Sequence, residues 1–447
     1  MSDQLVDAYR DQLWSLVGTL PGVDGVRERA LNRFAGIGFP TSRDENWRYS
    51  DIKSLRAKVF APASAANETV EAPEPLDDVA AQLVFINGHY SEEKSDMGDL
   101  WQAASVRPLA NHLMANMERA DDIETADDAL GSLNTALMRD GLVLSVPAGI
   151  EIDDPIEIVH IMAAAGETAA HHRHMIELGE GAKITLVERF IGDDAGYWVN
   201  SVLQARVSEG AVLKHYRLQE EGRNATHTAK AFVNVGAEGL YQACNVSLGG
   251  AVARFEARVR LLVDGGNATI DGVALAASGQ SHDMLVHVDH RMPATNSDQV
   301  FRTVADALGK SSFQGKITVA EGAQQTLADQ SFKALLLDRT AEANAKPELE
   351  IFADDVKCSH GATVGELDSK AMFYLMSRGI DPTTAQQMLV EAFTDDALAR
   401  IDNDTIADAF RNQIKGWMMA HALKTPGKTP GKTPGGKSEK TSGKDAA

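Results

Sequence analysis

The sequence predicts a mainly β chain, with a β-helix (β-solenoid) core flanked by an N-terminal helical region and a C-terminal helical region. From about Gly141 the apolar residues stop recurring at helical spacing and begin to alternate, and the alternation persists to about Gly365. Within that span Glu180-Gly181-Ala182, Glu209-Gly210-Ala211 and Glu238-Gly239-Leu240 lie 29 residues apart, and Glu321-Gly322-Ala323 follows 83 residues later, close to three further periods. A fixed period in a strand-rich stretch marks a solenoid. Each repeat supplies strands and a tight turn at its Gly, and stacking the repeats buries an apolar interior that none buries alone. A flattened β-helix is expected. On both flanks the spacing of apolar residues is helical instead.

The N-terminal region, residues 1–140, opens with Leu5, Tyr9, Leu13, Leu16 and Val17, and then Val26, Ala30 and Phe34, at spacings of three and four. These predict two amphipathic helices. They lead to the aromatic motif Glu45-Asn46-Trp47-Arg48-Tyr49-Ser50-Asp51, in which Trp47 and Tyr49 read as hydrophobic anchors under a loop. A stretch near 61–78, rich in Ala, Pro, Asn and Glu, reads as a linker. Leu83 to Gly88 reads as a short strand and turn, and Leu109 to Met117 and Ile123 to Met138 read as helices.

The core, residues 141–365, contains alternating segments such as Ile156–Ile161, Lys183–Glu188, Val212–Arg217 and Arg258–Val263, separated by Gly, Asp and Asn. His171-His172-x-His174 has the look of a metal tract, and His282, His287 and His290 cluster further on; both groups are assigned solvent or core roles, with the first placed beside a turn. Cys244 is expected to point into the solenoid core. A solenoid has an open end whose unpaired strand edges must be covered by something.

At that end lies Pro347 to Gly365, P-E-L-E-I-F-A-D-D-V-K-C-S-H-G-A-T-V-G, the stretch around which the chain is organised. Leu349–Ala353 alternates as a strand, Asp354-Asp355 turns the chain, and Val356–His360 runs extended into Gly361. Residues two apart on a strand share a face, so Cys358 and His360 point the same way. A thiolate beside an imidazole suits iron, zinc or copper, and two ligands leave a tetrahedral site open. The remaining ligands must come from another chain or from an incoming cluster.

The C-terminal helical region, residues 366–423, is read as three helices. Asp368 caps Ser369–Ser377, which Gly379 stops; Asp381-Pro382 opens a second helix to Phe393; Asp404 opens a third with Ile406, Phe410, Ile414, Trp417 and Ala420 as its apolar stripe. So thin a layer must pack its apolar side chains on the solenoid or on a partner. The remaining residues, 424–447, form a basic tail of Lys-Thr-Pro-Gly repeats, expected to be disordered.

The whole chain of 447 residues carries a net charge of −21, which argues against nucleic acid as a partner. No stretch reaches the ~20 apolar residues of a membrane span. The acidic start M-S-D-Q-L-V-D lacks signal-peptide features, so a cytoplasmic location is expected. Two cysteines, Cys244 and Cys358, are too few for a disulfide framework. There is no G-x-x-x-x-G-K-[ST] phosphate loop, so any ATP chemistry must be supplied from outside.

From Phe313 to Gly379 the motifs F-Q-G-K-I-T-V, A-Q-Q-T, L-L-L-D, the Cys358 stretch and F-Y-L-M-S-R-G-I closely resemble the SufB/SufD family of iron-sulfur cluster assembly scaffolds, and the motif at Glu45–Asp51 is similar to an N-terminal signature of its SufD branch. The form C-S-H-G-A-T-V-G and the lack of cysteines before Cys244 fit that branch better than the SufB branch. One departure is Ala334, where the family usually has Asn. The resemblance implies a non-catalytic scaffold subunit of a SufBCD-type complex. It would pair with a SufB-like paralogue through the solenoid edge, or with itself as a homodimer where that paralogue is absent. A SufC-like ATPase would dock on the C-terminal helices through Phe373, Tyr374, Arg378, Met388, Leu389 and Phe393. Cys358 and His360 would be a half-site for a transient iron-sulfur cluster, and a flavin in the complex is also implied. The alternatives are the SufB paralogue itself and a β-helix enzyme acting on polysaccharide with Asp354-Asp355 as acid and base. Neighbouring residues on a strand point to opposite faces, so these two carboxylates make a poor catalytic pair and a better turn.

Overall fold

The computed structural model of the chain describes residues 3–50, 52–65, 70–115, 123, 128–163 and 166–421. The basic tail, the middle of the linker and the segment between the two helices preceding the core lie outside these residues.

The first elements are α1 (Asp3–Trp14), α2 (Asp24–Ile37), α3 (Lys53–Ala57), β1 (Ala61–Pro62), β2 (Ala81–Ile86), β3 (His89–Asp96), α4 (Leu100–Ala103), β4 (Ser105–Pro108), α5 (Leu109–Ala115) and α6 (Ala129–Leu137). The linker thus contributes a two-residue strand. The helices gather on Tyr9, Phe34, Phe39, Trp47 and Leu133, and this cluster reaches Trp198 on the solenoid.

The core winds between two sheets. One holds β5 (Leu142–Val146), β7 (Thr168–Leu178), β9 (Trp198–Val207), β11 (Thr226–Val235), β13 (Val252–Leu261), β15 (Ser281–His290), β17 (Lys310–Val319) and β19 (Glu342–Ile351). The other holds β6 (Ile156–Met162), β8 (Lys183–Gly192), β10 (Val212–Glu220), β12 (Leu240–Ser247), β14 (Asn267–Ala276), β16 (Asn296–Ala305), β18 (Leu327–Leu336) and β20 (Lys357–Glu366). The chain crosses from sheet to sheet at every turn, so each strand pairs in parallel with the strands of the turns before and after it. Val212, for example, stands between Lys183 and Leu240. The result is a flattened β-solenoid of about eight turns.

The turns stack as the repeat requires. The Gly181 N–H donates to the Glu209 carbonyl and the Gly210 N–H to the Ala237 carbonyl, each at 2.8 Å. Both glycines have positive φ, 66° and 61°, which a side chain disfavours. In the third repeat the left-handed residue is Glu238 (φ 52°), one position ahead of its glycine.

The two ends of the solenoid differ. At the N-terminal end the antiparallel pairs β2–β3 and β4–β5 close the sheets. At the other end β19 and β20 each have one strand neighbour and stand last in their sheets.

After β20 come α7 (Ser369–Ser377), α8 (Pro382–Leu398) and α9 (Asp404–Ala420). Asp368 and Asp381 cap the first two, and Asn403 caps the third, where the sequence pointed to Asp404. α8 runs a full turn beyond Phe393. Helices α8 and α9 lie on the outer face of the second sheet, where Val390, Leu398, Ile406, Phe410, Ile414 and Trp417 pack with Tyr216, Leu218 and Val246. Arg400 clamps them by binding Asp271 at 2.9 Å and Asp298 at 2.8 Å.

Cys244 corrects one expectation. It is buried, but Tyr241 and Ala243 face the solenoid interior, so by strand alternation Cys244 faces outward, under the C-terminal helices.

Candidate functional site

Strand β20 is extended because Lys357–Glu366 pairs in register with β18 below it, Cys358 opposite Ala328 and His360 opposite Gln330. Ala328 and Gln330 are buried, so Cys358 and His360 continue an inward-facing row over the open end of the solenoid. Asp354 and Asp355 form the bend between β19 and β20, and the Asp355 carbonyl accepts the Gln325 N–H at 2.6 Å, so the pair serves the turn. Cys358 is half-buried beside Ala323, Ala328 and Ala353, and His360 is exposed. Burial pushes the Cys358 thiol above its ordinary value, and the Asp329 carboxylate adds to the effect. At neutral pH it is a thiol, whose proton would be released on binding a metal. The rim carries exposed apolar side chains, Ile351, Phe352 and Val364. The structure therefore gathers a soft thiol and a borderline imidazole, an unpaired strand edge and apolar rim residues on one end face.

The residues assigned to an ATPase contact divide into two sets. Helix α7 has no buried residue; Phe373 is 75% and Tyr374 57% exposed, and the Arg378 guanidinium sits 5.1 Å from the centre of the Tyr374 ring. Met388 is also exposed, at 44%. Leu389 is half-buried, and Phe393 packs against the cluster beneath α8 and α9. Ile406, Phe410, Ile414 and Trp417 of the α9 stripe are likewise used inside the chain, whereas Ala420 is exposed, so the free apolar surface of this region belongs to α7, the exposed side of α8 and the end of α9 at Met419.

The N-terminal motif lies on the outer face of the first sheet. The Trp47 ring is covered by the Arg254 guanidinium at 3.9 Å, the Asn46 carbonyl accepts from Arg254 (2.7 Å) and Gln314 (3.0 Å), and Glu45 pairs with Lys346 at 2.7 Å. Ser50 and Arg254 both bond to buried Asp283. The motif fastens the N-terminal region across several turns of the solenoid.

One constellation was not anticipated. The solenoid interior is lined mainly by apolar residues, with neutral polar pairs such as Gln299–Gln330 further along, but its N-terminal half holds the charged group Glu188 and Arg217 with His215. Glu188 Oε2 accepts from Arg217 Nε at 2.9 Å and contacts His215 Nε2 at 2.8 Å, while Arg217 Nη1 donates to Asn245 at 2.9 Å. Burial pushes the Glu188 carboxyl up, but Arg217, His160 and His215 outweigh it and hold it well below the carboxylate range. His172 and His174 of β7 face inward beside them, mid-strand rather than at a turn. The signal was parity: Ile184, Leu186 and Glu188 alternate on one face, as do Leu213, His215 and Arg217, so the polar residues sit on the inward row.

Two family models match the chain. That for the SUF system FeS cluster assembly, SufBD core domain, covers residues 160–393, and that for the SufBD protein N-terminal region covers residues 1–158. The chain is 30% identical over 428 residues to Protein ABCI7, chloroplastic, of Arabidopsis thaliana, covering 92% of this chain and 90% of that protein. It is 31% identical over 380 residues to the iron-sulfur cluster assembly protein SufD of Escherichia coli, covering 82% and 86% respectively. The chain belongs to the SufB/SufD family of the SUF system for iron-sulfur cluster assembly, and within it is similar to SufD.

Proposed function

We propose that the chain is a non-catalytic scaffold subunit whose end face completes an iron-sulfur cluster assembly site with a SufB-like paralogue. In this reading residues 1–140 anchor on the solenoid of residues 141–365, and residues 366–423 carry an ATPase contact. The observation that carries the proposal is the placement of Cys358 and His360 on β20, the last strand of its sheet. Edge strands invite β-pairing with another chain, and a thiol and an imidazole on that edge leave further coordination positions for the partner's ligands or the cluster's own sulfide. The cluster is cargo, handed on rather than kept. The exposed Phe373, Tyr374, Arg378 and Met388 supply the aromatic and Arg anchors typical of a docking surface, here for a SufC-like ATPase. Without a phosphate loop in this chain, ATP hydrolysis would be that subunit's activity.

The test is purification of the tagged full-length chain from its own cells. Recovery of a second solenoid chain and an ATPase in stoichiometric amounts supports the reading. Recovery of a lone monomer, or of a homodimer with no ATPase, contradicts it.

A further inference from the structure

We propose that His160, His172 and His174, with Glu188, form a site for one divalent first-row transition-metal ion, zinc or ferrous iron, inside the solenoid. The three imidazoles come from both sheets, His160 from β6 and His172 and His174 from β7, and their ligand atoms all lie within 4.8 Å of one another. All three residues are at most 4% exposed. Both ring nitrogens of His160 and His172, and Nε2 of His174, have no hydrogen-bond partner among the described residues. Buried polar atoms are normally paired, and here three buried imidazoles each bring one unpaired nitrogen into a common 4.8 Å cluster that a cation would satisfy. Glu188 flanks the histidine cluster, its Oε1 in an ion-pair contact 3.6 Å from His160 Nε2, while Glu188 Oε2 is held by Arg217 and His215. A carboxylate with one oxygen fixed in this way presents the other as an oriented ligand.

The donor set, neutral imidazoles and one carboxylate oxygen, suits a borderline ion rather than calcium or magnesium. His174 Nδ1 accepts the Leu142 N–H at 3.1 Å, so ligation by its Nε2 shifts the ring proton to Nδ1 and exchanges that hydrogen bond for a metal bond. His160 and His172 carry no such constraint. The site lies seven strands along the second sheet from β20, about 33 Å at the usual strand spacing, and is separate from Cys358 and His360. Its effect would be to staple the two sheets at the N-terminal end. The competing account is an aromatic stack, since His160 also lies 4.4 Å from Phe190 and 4.3 Å from His172, centre to centre, in near-parallel planes.

The experiment uses the full chain carrying Cys358→Ala and His360→Ala, stripped with a chelator and titrated with Co²⁺ alone and then Zn²⁺ alone. The proposal predicts one equivalent bound, a Co²⁺ absorption band, a first shell of nitrogen and oxygen without sulfur by X-ray absorption, and a higher thermal midpoint. His172→Phe in that background keeps the ring volume and the stacking but removes both nitrogens; it should fold and lose saturable binding. No saturable binding in the parent, or unchanged binding in the His172→Phe chain, shows the rings to be a packed aromatic stack and overturns the proposal. The readouts need no partner, so they succeed or fail independently of the scaffold reading.

Discussion

Glu188 and Arg217 sit one solenoid turn apart on neighbouring parallel strands, directly opposite in register, and meet inside the protein with Nε 2.9 Å from Oε2. Both are almost inaccessible to water, 1% and 3% exposed. Truncating one partner of such a pair leaves a buried charge uncompensated. Arg217→Ala should therefore cost about 3–5 kcal/mol, and Arg217→Met with Glu188→Leu should recover much of that. Urea unfolding of the two variants checks this; equal losses in both would mean the charge pair is not the source.

The buried histidines set a pH dependence. Burial first, with neighbouring charges adding in some cases, lowers His171 and His174 to about 3 and His282 and His290 to about 4. An unfolded His binds its proton near pH 6.5, so below that pH the unfolded state holds more protons and stability falls. The contribution is complete above pH 6.5 and is lost as pH drops toward 4, roughly 1–2 kcal/mol per group between pH 7 and 5. Asp271 works in the opposite sense, its carboxyl raised to about 7 by burial against the pull of Arg400, and burial raises Asp140 and Glu220 too, but the four histidines outweigh these carboxyls. Unfolding free energies at pH 7 and pH 5 in the presence of a chelator should show the fall, and a flat profile would contradict it.

Much of the fold was legible because the 29-residue repeat and strand alternation are local signals of a global architecture. The two sheets and the turn glycines follow from them, and the helix caps at Asp368 and Asp381 follow from capping residues placed just before helical spacing. What sequence missed depended on which row faces inward. Cys244 went to the wrong side of its strand because both faces of the second sheet are buried, one by the interior and one by α8 and α9, so burial does not distinguish them. The polar interior was missed for the opposite reason: Glu188, His215 and Arg217 lie on the row that alternation assigns to the core, where charged residues are not expected. Of the candidate site, the shared face of Cys358 and His360 was readable, whereas the use of Phe393 and the α9 stripe in packing required the tertiary contacts.

Cys244 should behave as a core residue. Cys244→Ala removes a sulfur from the cluster with Tyr216 and Val246 and should lower stability by about 1 kcal/mol without affecting cluster assembly. Thermal unfolding checks the first half. A loss of assembly at unchanged stability would give Cys244 a chemical role that its buried position argues against.

The exposed face of α7 should matter only for binding. Phe373→Asp with Tyr374→Asp should leave unfolding within about 0.5 kcal/mol of wild type, because neither side chain is buried, and should abolish co-purification of the ATPase. Retained binding would move the contact elsewhere. Deleting all residues after Gly365 is the poorer test, since it would also strip α8 and α9 from the second sheet and expose Leu218 and Val246.

The pairing of the solenoid end should be visible in the backbone. Amide hydrogen exchange in β19 and β20 should slow when the paralogue is added, because β20 has a strand on one side only. Unchanged exchange would leave the edge unpaired.

The most direct test of the half-site is cluster assembly on the reconstituted complex, followed by visible absorbance and iron content. Cys358→Ala and His360→Ala complexes should form with normal stability, since the thiol is only half-buried and the imidazole exposed, yet assemble clusters far more slowly than wild type. If both assemble clusters at the wild-type rate, Cys358 and His360 are not part of the assembly site.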